Sequence, residues 1–292
     1  MPLTGPTIVL ATDGGQASRA ALRWLSEYVG DSRAEVQVVS IVPPGLRGED
    51  LVRSREEYRA VLARTSLALT ALLAHCTVTT SLLEGDPRDE LEQASHGAGL
   101  LVIGTRSGGS AHALPVAIAG SAACTVVVVP EHWSATHGPV LVGASIDVAS
   151  DFALDWAVDY AQRVSSDLVI SHAWELPTVG ETRSTGSAET TDIPGHQQES
   201  LDRLAASTRG RTISGSAVTT DLRRGEPAAQ LGQAAEGASL LVVGRRRRSA
   251  IARLLLGSTS HRLVIDPPCP VAVVPQPREP IPVAPSTIDE ER

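Results

Sequence analysis

The chain states one pattern twice. Residues 78–104 and 218–244 align at a constant offset of 140, and 15 of the 27 positions are identical. The shared frame runs Val-Thr-Thr-x-Leu, then Gly85/Gly225, Pro87/Pro227 and Leu91/Leu231, and closes on Leu-Leu-Val-x-Gly at Gly104/Gly244. At offset 132, Ala21, Leu22, Trp24 and Tyr28 pair with Ala153, Leu154, Trp156 and Tyr160. At offset 145, Cys124 and Pro130 pair with Cys269 and Pro275. A period this long is not that of a stacked-repeat array, and two copies of one small domain are the simplest reading. The changing offsets give the second copy eight extra residues in its first half and five more before its last strand.

The 292 residues suit two domains of roughly 150 each, long enough to bury a core without disulfides or metals. Apolar content of 42% is that of a globular chain, and 3% aromatic leaves Val, Leu, Ile and Ala to build the core. No apolar run reaches the ~20 residues of a membrane span, and no signal peptide is read at the N-terminus, so a cytoplasmic location is expected. Cys124 and Cys269, equivalent and each just before an apolar run, read as small core residues. All 25 basic residues are Arg, and the net charge of −8 argues against nucleic acid or an anionic membrane as partner.

Each copy alternates apolar runs with helical stretches. In the first, strands are expected at Thr7–Thr12, Val36–Val42, Val78–Leu83, Leu100–Ile103 and Val126–Val129. Helices are expected after the Asp13-Gly14-Gly15 turn, over Glu49–Ala74, and from Pro87, a proline suited to a first helical turn. The second copy repeats the strands at Val140–Ala144, Leu168–Ala173, Val218–Leu222, Leu240–Val243 and Val271–Val274. Near-continuous Val, Ile and Leu strands alternating with helices imply an α/β fold. Its two tandem copies each form a five-stranded parallel open sheet with helices on both faces. The boundaries read as a first domain at 1–133, a linker at 134–139, a second domain at 140–276 and a disordered, Pro-rich then acidic tail at 277–292. Pro177–Gln198, rich in Gly, Ser and Thr, reads as a mobile surface loop.

In an open parallel sheet, ligands bind beyond the carboxyl ends of the strands, where strand order reverses. That places Asp13-Gly14-Gly15 and the chain after Gly104 at such a site in the first copy. In the second it places Ser145-Ile146-Asp147, Ala173 and the chain after Gly244 there. Gly257-Ser258 should open the helix that follows, where glycine lets backbone approach phosphate and free N–H groups bind oxyanions.

These motifs resemble those of tandem universal stress proteins over nearly the whole chain apart from the tail. The family opens on a strand, V-D-x-S, then S-x-x-A-L-x-W; the first copy has Thr12-Asp13-Gly14-Gly15, then Ser18, Ala21, Leu22 and Trp24. The family's second signature is G-x-x-G, nine residues, G-[S/T], then Cys-Pro and a strand. The second copy has Gly244, Gly257-Ser258, Cys269-Pro270 and Val271–Val274 in that register. The resemblance implies a Rossmann-like fold of the adenine nucleotide alpha hydrolase type and, in one branch, bound ATP. In that branch the aspartate lies on the adenine side and the glycine loop holds the phosphates. It also implies that the last strands, Val126–Val129 and Val271–Val274, pair edge to edge as an internal pseudo-dimer, with a homodimer as a further assembly.

Neither copy keeps the full pattern. The first retains Asp13 but has Ser107 at the second glycine and lacks five residues of the loop. Its Gly120-Ser121, four residues before Cys124, matches the motif by coincidence. The second keeps the loop length but has Arg247 at the second glycine and Ser145 at the aspartate. The run Arg245–Arg248 has two readings: a guanidinium clamp on a triphosphate, or a solvated basic loop whose Arg247 fills the space of the phosphates. Asp13 is likewise a ligand contact or a turn former. Candidate nucleotide-binding residues are therefore Asp13, Ser145, Ala173, Gly244, Arg245, Arg247, Gly257 and Ser258, with the second copy favoured for ATP. No metal is expected beyond the magnesium that accompanies ATP. No histidine stands at metal-ligand spacing, and His172 is expected to line the pocket. A stress-linked binding protein that senses adenine nucleotide, and a nucleotide-free scaffold acting through protein partners, both remain open. An enzyme akin to ATP pyrophosphatases is the weakest reading, since nothing supplies a paired acid and base and no catalytic residue is expected.

Overall fold

Short runs of Val, Leu and Ile become the ten strands of one sheet. A computed structural model of the chain describes residues 7–106, 113–145, 152–175, 193–211, 216–245 and 256–276. The first copy supplies β1 (Thr7–Ala11), α1 (Gln16–Val29), β2 (Glu35–Val42), α2 (Gly48–Leu72), β3 (Thr77–Glu84), α3 (Pro87–Ser95), β4 (Ala98–Thr105), α4 (Ala113–Ser121) and β5 (Thr125–Pro130). The second supplies β6 (Val140–Gly143), α5 (Phe152–Arg163), β7 (Leu168–Trp174), α6 (Ile193–Arg209), β8 (Val218–Arg224), α7 (Pro227–Ala234), β9 (Leu240–Arg245), α8 (Ser258–Ile265) and β10 (Val271–Pro275).

Local chemistry explains several of the boundaries. Pro87 and Pro227 open α3 and α7, where the missing N–H has no intrahelical partner to lose. Just ahead of each, an acidic side chain caps the helix: Asp86 accepts from the N–H of Arg88, and Glu226 from those of Ala228 and Ala229. Gly30, with φ of +52°, ends α1 by donating its N–H to the Ser26 carbonyl.

Strand order is β3-β2-β1-β4-β5-β10-β9-β6-β7-β8. All neighbours within a copy are parallel, and order reverses between β1 and β4, and again between β6 and β9. The ladders of the two copies share one register. Ile8 faces Val36 and Leu100, and its counterpart Val140 faces Leu168 and Leu240. The three offsets seen in the sequence are therefore structural equivalences.

The seam between copies is antiparallel: Val271, Ala272 and Val273 of β10 face Val128, Val127 and Val126 of β5. This is the expected edge pairing, and it explains why β5 is buried along its whole length. Pairing satisfies the backbone of two apolar edges that would otherwise template aggregation. Each face of the sheet then carries one core that runs across the seam. One packs Trp24, Leu25, Leu62 and Leu69 with Leu154, Tyr160 and Leu201, and the other packs Leu91 and Ile118 with Leu231 and Leu263.

One expectation needs correction. The proposed loop Pro177–Gln198 does not run to its stated end, because α6 begins at Ile193. Leu201 and Ala205, one helical turn apart, are fully buried and hold α6 on the sheet. Residues 177–192, and the proposed tail at 277–292, lie outside the described residues.

Candidate functional site

In the second copy the carboxyl ends of β6, β7, β9 and β10 surround a cavity of about 390 Å³. It sits at the β6/β9 reversal, where an open α/β sheet places its ligands. Six of the sequence-derived candidates meet there: Ser145, Ala173, Gly244, Arg245, Gly257 and Ser258. His172 lines it as well. Arg247 belongs to the loop 246–255, outside the described residues, as do Ile146-Asp147 and Ser107.

The start of α8 presents backbone N–H groups to the cavity side of the sheet. Gly257 is the N-cap of α8 and contributes no side-chain bond. The His261 N–H reaches the Gly257 carbonyl at 2.8 Å, so the N–H groups of Ser258, Thr259 and Ser260 have no intrahelical acceptor. The Ser260 hydroxyl donates to the Gly244 carbonyl at 3.1 Å and ties the helix start to the end of β9.

His172 Nδ1 lies 2.9 Å from the Ala144 carbonyl oxygen. A carbonyl only accepts, so Nδ1 carries the proton and Nε2 of the neutral ring is an acceptor. In the first copy Ser40 holds the equivalent place, donating to the Thr12 carbonyl at 2.7 Å. Phe152 and Trp174 add aromatic walls to the cavity, and Gln197 of α6 completes one side. These three were missed from the sequence. For two of them the signal lay in the comparison of copies: at offset 132, Ala20 and Val42 become Phe152 and Trp174.

Arg245 ends β9 at the cavity wall, and its guanidinium also reaches out of the second copy. Nη1 donates to the Ala122 carbonyl at 2.7 Å and to the Ala119 carbonyl at 3.4 Å, at the C-terminal end of α4. A cation there meets the negative end of the helix dipole.

In the first copy, α1 packs closely on the end of β4. A Cβ built on Gly104 would lie 2.2 Å from the carbonyl carbon and oxygen of Ala17 and 2.7 Å from the Ser18 nitrogen. The first turn of α1 is thus pressed onto the end of β4. The counterparts of Ala17 and Ser18 beside Gly244 are Ala149 and Ser150, which lie outside the described residues. Asp13 is occupied by its own turn: one carboxylate oxygen accepts from the Gly15 N–H at 2.8 Å and from the Ser18 hydroxyl at 2.9 Å. Above the turn, the Val61 side chain would stand 2.7 Å from a Cβ on Gly14. Gly120-Ser121 ends α4 instead of opening it, consistent with a coincidental match.

A larger cleft of about 690 Å³ opens between the copies, lined by Tyr28, Trp133, His137 and Tyr160 among others. It lies toward the amino ends of β7 and β8, away from the strand ends where phosphate-binding turns form, and has no helix N-terminus of its own. Among the described residues no group of three or more His, Cys, Asp or Glu side chains could hold a metal ion. No described helix is long and apolar enough to cross a membrane. Cys124 and Cys269 are buried, and burial pushes both thiols up to about 12, so they act as core residues.

Comparison with known proteins agrees with this architecture. The family model for the universal stress protein family matches twice, over residues 6–130 and 137–275. A universal stress protein of Mycolicibacterium smegmatis is 28% identical, covering 91% of this chain and 96% of its own. One from Mycobacterium tuberculosis is 27% identical, covering 91% and 95%. Among solved structures, a universal stress protein from Archaeoglobus fulgidus superposes with a TM-score of 0.71 at 20% identity, over 92% of this chain and 98% of that one. With a match in each half, a shared ladder register and full-length relatives, the chain belongs to the universal stress protein family.

Proposed function

We propose that this protein is a stress-linked binding protein whose second copy takes up an adenine nucleotide, ATP foremost, while the first copy serves as a structural partner. The observation that carries the reading is the cavity at the β6/β9 reversal, which brings Gly244, Gly257, Ser258, Phe152 and Trp174 together. The volume of about 390 Å³ suits a small ligand. The residues present fit the group. The first turn of α8, from Ser258, would hold phosphate, and Phe152 and Trp174 would flank a flat base. Ser145 and Ala173 sit at the neighbouring strand ends. Binding is the proposed activity.

Calorimetric titration of ATP with magnesium into the intact protein tests this. Binding is expected in the parent and is expected to vanish in Gly244→Leu, whose side chain fills the cavity. A parent that takes up no ATP overturns the nucleotide reading and leaves the partner-binding scaffold in its place.

A further inference from the structure

Arg245 stands in two places at once. Its residue closes β9 at the cavity of the second copy, while Nη1 is bonded to the Ala119 and Ala122 carbonyls of the first. The link has no mirror image. The equivalent residue of the first copy is Thr105, too short to cross the seam, and its buried hydroxyl oxygen has no partner. Helix α4 also packs against α8, the helix whose first turn faces the cavity. Two structural connections therefore run from the second-copy cavity to α4.

We propose that Arg245 is a coupling residue present in one copy only: an anionic phosphate seated in the second-copy cavity draws its guanidinium off the α4 carbonyls and loosens the last turn of that helix. This rests on the nucleotide reading above. The direction follows from bond strength, because a guanidinium–phosphate bond is charge-assisted on both sides, whereas a backbone carbonyl is neutral. Losing the cation at the negative end of α4 removes the bonds that satisfy two terminal carbonyls. Linkage makes the effect reciprocal: whatever holds α4 to Arg245 weakens ligand binding by the same factor. The α4 helix of the first copy becomes the element that reports occupancy of the second.

Hydrogen exchange over residues 113–125 of the intact protein, with and without saturating ATP, tests the coupling. ATP should speed exchange in the last turn of α4 by about ten-fold, the scale of one charged hydrogen bond. Arg245→Met should show the faster exchange without ligand, and no further change at ATP concentrations that saturate the variant. If Arg245→Met does not fold, Arg245→Lys, with a single-point cation in place of the fork, carries the comparison and should show a reduced ligand effect. ATP binding that leaves α4 exchange unchanged, or an undiminished ligand effect in the variants, overturns the coupling alone. Absence of ATP heat in the parent overturns the nucleotide reading and the coupling with it.

Discussion

Tyr28 and Tyr160, equivalent residues of the two copies, stack across the junction with ring centroids 5.8 Å apart and planes 5° from parallel. Trp24 stacks on Tyr28 at 5.3 Å, and its counterpart Trp156 stacks on Tyr160 at 5.5 Å. A chain with eight aromatic residues has committed four of them to one column between α1 and α5, where the Arg163 guanidinium covers Tyr28 at 5.1 Å. The column joins the copies on the face of the sheet above the β5–β10 seam. Tyr160→Ala should therefore cost about 3–4 kcal/mol, as for other large buried side chains. Tyr160→Phe keeps the ring and should cost about 1 kcal/mol. Urea unfolding followed by tryptophan fluorescence reads both; equal losses in the two variants would show that the stack contributes nothing.

Gly104 stands where the end of β4 meets the first turn of α1. Gly104→Ala drives a methyl into the α1 backbone and should lose about 3 kcal/mol, the upper range for overpacking, since backbone cannot step aside as a side chain can. Urea unfolding reads the loss; a variant within about 0.5 kcal/mol of the parent would mean that α1 stands off β4 in solution.

The fold was legible because the chain carries its own control. Strands read from Val and Leu runs agree within two residues with β1–β10, and the three offsets recur as ladder register. The site was legible only in part. Gly257-Ser258 at a helix start follows from local sequence, and the structure places it there. The partners of Arg245 do not, since they are backbone carbonyls more than a hundred residues away, and a carbonyl carries no residue signature. The close approach of α1 to Gly104 was not legible, because it depends on helix placement that periodicity does not specify. The cavity's aromatic walls sat unread in the copy differences at Phe152 and Trp174.

The buried cysteines give the protein an alkaline limit. Burial lifts the Cys124 and Cys269 thiols from the usual 9.0 to about 12. Above the ordinary value the unfolded chain releases these protons while the folded chain keeps them, so stability is full below pH 9 and falls as pH climbs toward 12. Cys269→Ala should flatten that fall while lowering stability at neutral pH through the lost packing. Parallel slopes for the variant and the parent between pH 9 and 11 would remove the thiol from the account.

Asp13 separates the inherited motif from the present function. Its carboxylate is held by the Gly15 N–H and the Ser18 hydroxyl, the arrangement of an Asx turn ahead of α1. Asp13→Ala should destabilise the protein by about 1 kcal/mol, the usual loss of a side-chain hydrogen bond. The same variant should bind ATP with parental affinity, because the cavity belongs to the other copy and Asp13 does not line it. Thermal unfolding and calorimetry on one preparation read the two effects together. A tenfold loss of ATP affinity with unchanged stability would return Asp13 to the ligand and move the nucleotide site to the first copy.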